Sequence, residues 1–234
     1  MNRYKITRKR SGLSGLLKSF STIAWLIIIT SIISIIGFVI FAFYPEYVDY
    51  IALKPSNIMQ GKYLWTLVTH MFVHGGLGHL FINMFVLFSL GGLCERIIGR
   101  KRFLWFYLLS GIFAGLLSIL LAGFFGSTAI GERIFGSPEI FMVGASGAIF
   151  AIAGLYVMLL PRLKFMIIFL PFFSLPAYIM VPLVLFIVWG VSIVFNWPVG
   201  NVAHFGGFLA GILYGAYLKN KYKRKVAKLQ KMFR

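Results

Sequence analysis

Residues 23–44 read IAWLIIITSIISIIGFVIFAFY, a run without a single charged side chain. As an α-helix, which rises about 1.5 Å per residue, this run extends over about 33 Å. The hydrocarbon core of a bilayer is about 30 Å thick. The stretch therefore predicts a membrane-spanning helix, and it decides the fold class in which the remaining segments are interpreted.

The composition of the whole chain supports the same fold class. Its 234 residues are 60% hydrophobic and 12% charged, whereas soluble domains are about a quarter charged. With the single cysteine Cys94, no intrachain disulfide can form. The stretch 165–178 contains Pro171 and Pro176, so we expect a short irregular or interfacial piece there. Candidate transmembrane segments are 23–44, 79–95, 103–125, 144–160, 180–195 and 202–218.

The basic residues orient these segments. Of the 23 Lys and Arg, 20 fall before the first segment, after the second, after the fourth and after the sixth. Because cytoplasmic loops are enriched in Lys and Arg, this pattern predicts an all-α bundle of six transmembrane helices with both termini cytoplasmic. The predicted domains are a basic segment 1–22, a six-helix domain 23–218 and a basic tail 219–234. The charge fits attraction to membrane lipid, and we expect no nucleic-acid partner.

Polar side chains inside the apolar segments are the candidate functional residues, because burying them in a bilayer is expensive. Counted from the nearest cytoplasmic basic residue of each helix, His79, Asn83, Ser146 and His204 lie at a common depth of about 20–26 Å. Small residues, among them Gly207 three positions after His204, favour close approach of segments 144–160 and 202–218. The four side chains are therefore expected to converge.

A serine beside a histidine indicates nucleophilic catalysis, since a serine hydroxyl needs a base to accept its proton. The only aspartate, Asp49, lies in a loop, and Glu95 lies at the cytoplasmic end of its segment. We therefore expect a Ser146–His204 dyad without a carboxylate. Asn83, His79 and backbone N–H groups would donate hydrogen bonds to the oxyanion.

Other interpretations of these residues remain open. His70 and His74, spaced i and i+4, could bind zinc with His79 as a third ligand. No carboxylate accompanies them as a general base, so we expect neither a metal nor an organic cofactor. Each polar residue taken alone could instead serve helix packing. A transporter is the third class, and no charged residue lies in the middle of any segment.

In these motifs the chain resembles the rhomboid intramembrane serine proteases over about residues 20–220. The motifs are His70-x3-His74-x4-His79-x3-Asn83, Gly144-x-Ser146-Gly147 and Ala203-His204-Phe205-Gly206-Gly207-x3-Gly211. The resemblance implies that Ser146 is the nucleophile and His204 the general base. It also implies that His79, Asn83 and the Ser146 N–H form the oxyanion hole. Supporting roles are implied for Gly144, Phe150, His74 and His70.

The implied activity is hydrolysis of peptide bonds in or near transmembrane segments of membrane-protein substrates, through a covalent acyl-enzyme. The alternative is a catalytically inactive rhomboid-like protein that binds transmembrane clients. We expect an integral multi-pass protein of the bacterial plasma membrane, with its site opening to the extracytoplasmic side. One departure is Trp65-Thr66, where many members carry Trp-Arg; it puts the hydrogen-bond network of that loop in doubt.

Overall fold

The computed structural model describes residues 20–167, 170–197 and 199–233, and these are mostly helical. The helices are α1 (Thr22–Phe43), α2 (Pro55–Met59), α3 (Thr66–Thr69), α4 (Leu77–Ile98), α5 (Arg100–Phe125), α6 (Ala129–Phe135), α7 (Ser146–Leu159), α8 (Ala177–Phe195), α9 (Asn201–Lys221) and α10 (Lys223–Met232). Short 3₁₀ helices cover Pro45–Tyr50 and His70–Phe72, and the strands are β1 (Lys164–Ile167) and β2 (Leu170–Pro176).

A helix lies at each of the six predicted segments. In the described part of the chain, α1, α4, α5 and α8 are long and apolar enough to cross a membrane, as expected of an integral membrane protein. The apolar helix α7 has 14 residues and is shorter. Six crossings, the cytoplasmic placement of both termini and the three domain boundaries stay predictions. Of the basic segment 1–22, residues 1–19 lie outside the described residues.

The stretch after α7 forms a β-hairpin, so the fold is not purely α-helical and the piece is not irregular; its interfacial position stays a prediction. β1 and β2 are antiparallel, with Lys164 opposite Pro176 and Phe165 opposite Leu175. Prolines exclude a helix here, and the Ile and Phe residues of the stretch favour extended backbone. The Ala177 N–H donates to the Leu163 carbonyl at 2.8 Å, so α8 begins directly where the hairpin closes.

Helix α7 lies at the centre of the bundle. Ten of its 14 residues are buried, and its neighbours are α4, α5, α8 and α9. The Tyr156 hydroxyl donates to the Leu90 carbonyl of α4 at 2.5 Å. On another side, Ala114 of α5 lies against both Gly147 of α7 and Gly206 of α9. The elements that carry the candidate site are thus held from several directions.

The long connection between α1 and α4 is anchored at several points. Leu53 and Met142 exchange two backbone hydrogen bonds. The Lys54 Nζ lies 2.8 Å from Glu139 Oε2, and this hydrogen bond lowers the pKa of the Glu139 carboxyl. Both contacts join the connection to the segment that precedes α7.

Thr66 stands at a position where many members of the family that the chain resembles carry arginine, and it forms a local hydrogen bond. Its hydroxyl donates to the Tyr63 carbonyl at 2.8 Å. Beside it, Trp65 Nε1 donates to the Tyr50 carbonyl at 2.9 Å. The loop is therefore hydrogen-bonded at this position without a guanidinium.

A buried carboxylate joins α1 to α4. Glu95 is 7% exposed, and its oxygens accept from the N–H groups of Thr22 at 3.1 Å and Ile23 at 3.4 Å. The first N–H groups of a helix lack intrahelical acceptors and favour an anion. Arg100 Nε lies 3.3 Å from the same carboxylate. Glu95 therefore caps the N-terminus of α1, and its negative charge is balanced by Arg100 at the beginning of α5.

Replacement of Glu95 by alanine should lower the free energy of unfolding by about 1–3 kcal/mol, because the N–H groups of α1 lose a charged acceptor. Thermal unfolding in detergent measures the change. The control is Glu132→Ala, which removes an exposed carboxylate on α6 and should stay within about 0.5 kcal/mol. Equal unfolding midpoints for the two variants would contradict a stabilising cap at Glu95.

Candidate active site

Ser146 and His204 meet at the beginning of two neighbouring helices. Ser146 is the first residue of α7, and His204 lies in the first turn of α9. His204 Nε2 is 2.8 Å from Ser146 Oγ. The two residues are 58 positions apart in sequence. This is the hydrogen-bond distance at which an imidazole can take a proton from a hydroxyl.

The two helices approach this closely because glycines line their contact. A Cβ atom at Gly207 would overlap the carbonyl oxygen of Gly147, and one at Gly211 would overlap that of Ala151. From the opposite side, a Cβ at Gly154 would overlap the carbonyl oxygen of Phe208. The backbones therefore touch directly, as small residues allow in membrane helices. His204, one turn before Gly207, is brought to the N-terminus of α7.

Gly144 shapes the turn that leads into Ser146. Its φ is +121°, a region that side-chain-bearing residues rarely adopt. Its N–H donates to the His70 carbonyl at 2.8 Å. A Cβ here would lie 2.9 Å from Cε1 of His79. The absence of a side chain thus allows the backbone turn and leaves room for the His79 imidazole.

His74 holds the same turn through a bond to α1. The Ser34 hydroxyl donates to the Phe72 carbonyl at 2.9 Å, so its oxygen accepts from His74 Nδ1, also at 2.9 Å. A neutral imidazole protonated on Nδ1 has an acceptor at Nε2. That nitrogen accepts the Ala145 N–H at 3.4 Å. Sequence reasoning missed Ser34, although a polar residue inside an apolar segment is the signal that identified Ser146.

His79 and Asn83 lie one turn apart on α4. The His79 ring meets the His74 ring edge-on at 5.0 Å between centroids. Its Nδ1 accepts the Gly75 N–H at 3.4 Å, which leaves the proton on Nε2. Asn83 is buried, and its Nδ2 donates to the His79 carbonyl at 2.8 Å. The second hydrogen of that amide is available to another acceptor.

Packing orients the His204 imidazole. The Phe150 ring lies 4.6 Å from it between centroids, at an interplanar angle of 31°. Within the described residues, His204 Nδ1 is buried and has no hydrogen-bond partner. All five acidic residues belong to the described part of the chain, and the hydrogen-bond partner of the His204 ring there is Ser146 Oγ.

The His70 side chain points away from this cluster. Its Nδ1 lies 2.8 Å from the Thr66 carbonyl oxygen, and its ring packs beside Gly115 of α5. Only its backbone carbonyl reaches the turn at Gly144. Over residues 20–167, 170–197 and 199–233, no three or more His, Cys, Asp and Glu side chains are grouped so that they could hold a metal ion.

Comparison with known families identifies the family of the chain. A model of the Rhomboid domain matches residues 61–221, which is more than half of the chain. The chain therefore belongs to the rhomboid family.

Individual relatives come from plants and bacteria. The chain is 34% identical to RHOMBOID-like protein 5 of Arabidopsis thaliana, over 71% of its own length and 48% of the relative. It is 26% identical to rhomboid protease GlpG of Haemophilus influenzae, over 75% and 80%. It is 31% identical to rhomboid protease GluP of Bacillus subtilis, over 71% and 28%. The chain thus spans under half of the Arabidopsis and Bacillus relatives and most of the Haemophilus one.

The contribution of the α7–α9 contact to stability can be tested by replacing two glycines with alanine, one inside the contact and one outside it. Gly207→Ala should lower the free energy of unfolding by about 1–3 kcal/mol, because the added methyl group has no space. The matched control is Gly190→Ala in α8, where a Cβ would meet nothing within 4 Å. Thermal unfolding in detergent compares them. If both variants unfold at the same temperature, direct backbone contact does not limit stability at this interface.

Proposed function

We propose that this chain is an intramembrane serine endopeptidase that cleaves membrane-protein substrates in or near their transmembrane segments. The observation that carries the proposal is the 2.8 Å contact between His204 Nε2 and Ser146 Oγ. Membership of the rhomboid family supports it. So do the printed names of the Haemophilus and Bacillus relatives, both of which are called rhomboid proteases.

The proposed reaction proceeds in two halves. His204 Nε2 accepts the Ser146 proton while Oγ attacks the carbonyl carbon of the scissile peptide bond. The resulting imidazolium gives that proton to the leaving amine, and an acyl-enzyme remains on Ser146. A water molecule, deprotonated by His204, then attacks the ester carbonyl. Collapse of the second tetrahedral intermediate releases the new carboxyl end and returns the proton to Ser146.

Three donors are placed to stabilise the oxyanion in this proposal. His79 offers Nε2–H, because its Nδ1 accepts from Gly75. Asn83 offers the amide hydrogen that does not bind the His79 carbonyl. Ser146 is the first residue of α7, so its N–H lacks an intrahelical acceptor. Preorganised donors of this kind act strongly in sites from which bulk water is excluded.

The remaining predicted residues act as positioning residues in the proposal. Phe150 orients the imidazole of His204 by ring contact. Gly144, His74 and the His70 carbonyl position the turn before Ser146. No metal or organic cofactor is needed for any of these steps.

Six crossings with both termini cytoplasmic complete the proposed arrangement. Helix α7, at 14 residues, extends over about 21 Å, less than the hydrocarbon core of about 30 Å. With its C-terminal end at the cytoplasmic interface, Ser146 lies below the extracytoplasmic surface and is reached by water from that side. A helical substrate must unwind locally to expose a peptide bond, which favours small residues such as glycine at the cut.

A second candidate function is binding of transmembrane clients without catalysis. The observation that favours it is that the Arabidopsis relative is named rhomboid-like rather than protease. The presence of both Ser146 and His204 at hydrogen-bond distance favours the protease. A cleavage experiment separates the two candidates.

Ser146→Ala and His204→Ala should each abolish cleavage of a single-span membrane substrate by the purified protein in detergent. The matched control is Ser118→Ala, which removes a buried hydroxyl bonded to the Ala114 carbonyl within α5 and should retain cleavage. Gel analysis of the products measures activity, and EDTA should leave it unchanged. Unchanged cleavage by Ser146→Ala would overturn the dyad. A wild-type protein that binds the substrate and never cuts it would support the client-binding alternative.

Loss of one oxyanion donor should slow cleavage without abolishing it. His79→Ala and Asn83→Ala should each lower kcat by about 10²–10³, because each removes a preorganised donor. Asn220→Ala, at an exposed position near the end of α9, is the control and should keep the wild-type rate. A change confined to KM in the two site variants would contradict a role in the transition state.

A further inference from the structure

A groove outside the site runs between α5 and α9 at the end of the bundle where basic residues are concentrated. Its volume is about 610 Å³. Most of its lining is apolar, including Trp105, Leu109 and Leu213, whereas Lys101 and Arg102 lie at one end. From these features we propose that the groove binds one anionic phospholipid, with the phosphate at Lys101 and Arg102 and an acyl chain along α5.

The length of the groove fits one leaflet. Arg102, Trp105, Leu109 and Phe113 recur at helical spacing and line the same face of α5. From Arg102 to Phe113 the helix advances eleven residues, or about 17 Å. Half of the hydrocarbon core is about 15 Å. A lipid whose headgroup lies at Arg102 therefore reaches the middle of the bilayer at Phe113.

Aromatic rings from both helices line the groove. Tyr214 of α9 stacks on Phe106 of α5 at 4.9 Å between centroids, and the Tyr217 ring, outside the lining, lies 6.1 Å from Tyr214. The Arg102 guanidinium lies 5.9 Å from the Tyr222 ring. Arg102 itself lines the groove beside Lys101, and the N–H groups of a guanidinium match the geometry of a phosphate.

The positive charge of Lys101 and Arg102 favours an anionic ligand in the groove. Glu95 is the only acidic residue near this end, and it is engaged by α1 and Arg100. The other four lie in the 45–62 and 126–143 connections. In the described part of the chain, neither Lys101 nor Arg102 forms a salt bridge. Basic pockets between helices on the cytoplasmic side are suited to anionic headgroups. A partner helix fits less well, because transmembrane helices carry Lys and Arg at their cytoplasmic ends.

The site is tested by titrating the purified full chain in detergent with dioleoylphosphatidylglycerol or dioleoylphosphatidylcholine and counting bound lipids by native mass spectrometry. The wild type should retain one phosphatidylglycerol more tightly than phosphatidylcholine. The Lys101→Gln/Arg102→Gln double variant should bind phosphatidylglycerol about thirtyfold more weakly, because the contributions of the two basic residues to the binding free energy add.

Two further variants make the outcome decisive. Lys228→Gln/Lys231→Gln removes the same charge from α10, outside the groove, and should change the affinity less than about twofold. Ala210→Phe fills the groove at constant charge and should weaken binding as well; if it fails to fold, the charge variants alone decide. An equal loss of phosphatidylglycerol affinity in the two double variants would show that binding depends on diffuse surface charge, and it would overturn the proposed site. Equal affinity for both lipids, or a wild-type dimer that Ala210→Phe dissociates, would also overturn it.

Discussion

Direct backbone contact between α7 and α9 is the constraint on which the rest of the structure depends. A Cβ atom at Gly207 would overlap the carbonyl oxygen of Gly147, and Ser146 and His204 each lie within one turn of that contact. No carboxylate holds His204 in the described structure, so the distance between its imidazole and Ser146 is set by helix packing. Helix α5 packs against both α7 and α9, and α4 packs against α7.

Much of the fold and the site could be predicted from the sequence. Long apolar segments mark their own helices, because a bilayer forces the backbone to satisfy its hydrogen bonds within each segment. Ser146 and His204 could be expected to approach each other because helices advance regularly, so residue counts convert into height, and the two side chains lie at hydrogen-bond distance. Family membership agrees with the motifs around these residues.

What could not be predicted depends on partners distant in sequence. Glu95 accepts from residues more than 70 positions away, and Ser34 and His74 are 40 positions apart. No local pattern marks either bond. The hairpin was not predicted for another reason. Its prolines disfavour a helix, but strand pairing requires a register that only the folded chain defines. The resemblance implied only a supporting role for His70, and neither its bond to the Thr66 carbonyl nor its packing beside Gly115 of α5 could be identified from the sequence.

The bond between Ser34 and His74 ties the candidate site to a helix outside the part of the chain that the family model matches. That match begins at residue 61, yet Ser34 of α1 accepts from the imidazole that in turn accepts from Ala145. Several apolar side chains of α1, among them Ile32, Ile35 and Ile36, are exposed on the outer face of the helix. An exchange among apolar residues at those positions leaves the bond to His74 in place, whereas loss of the Ser34 hydroxyl removes the acceptor of His74 Nδ1. One polar atom thus makes a largely lipid-facing helix part of the support of the site.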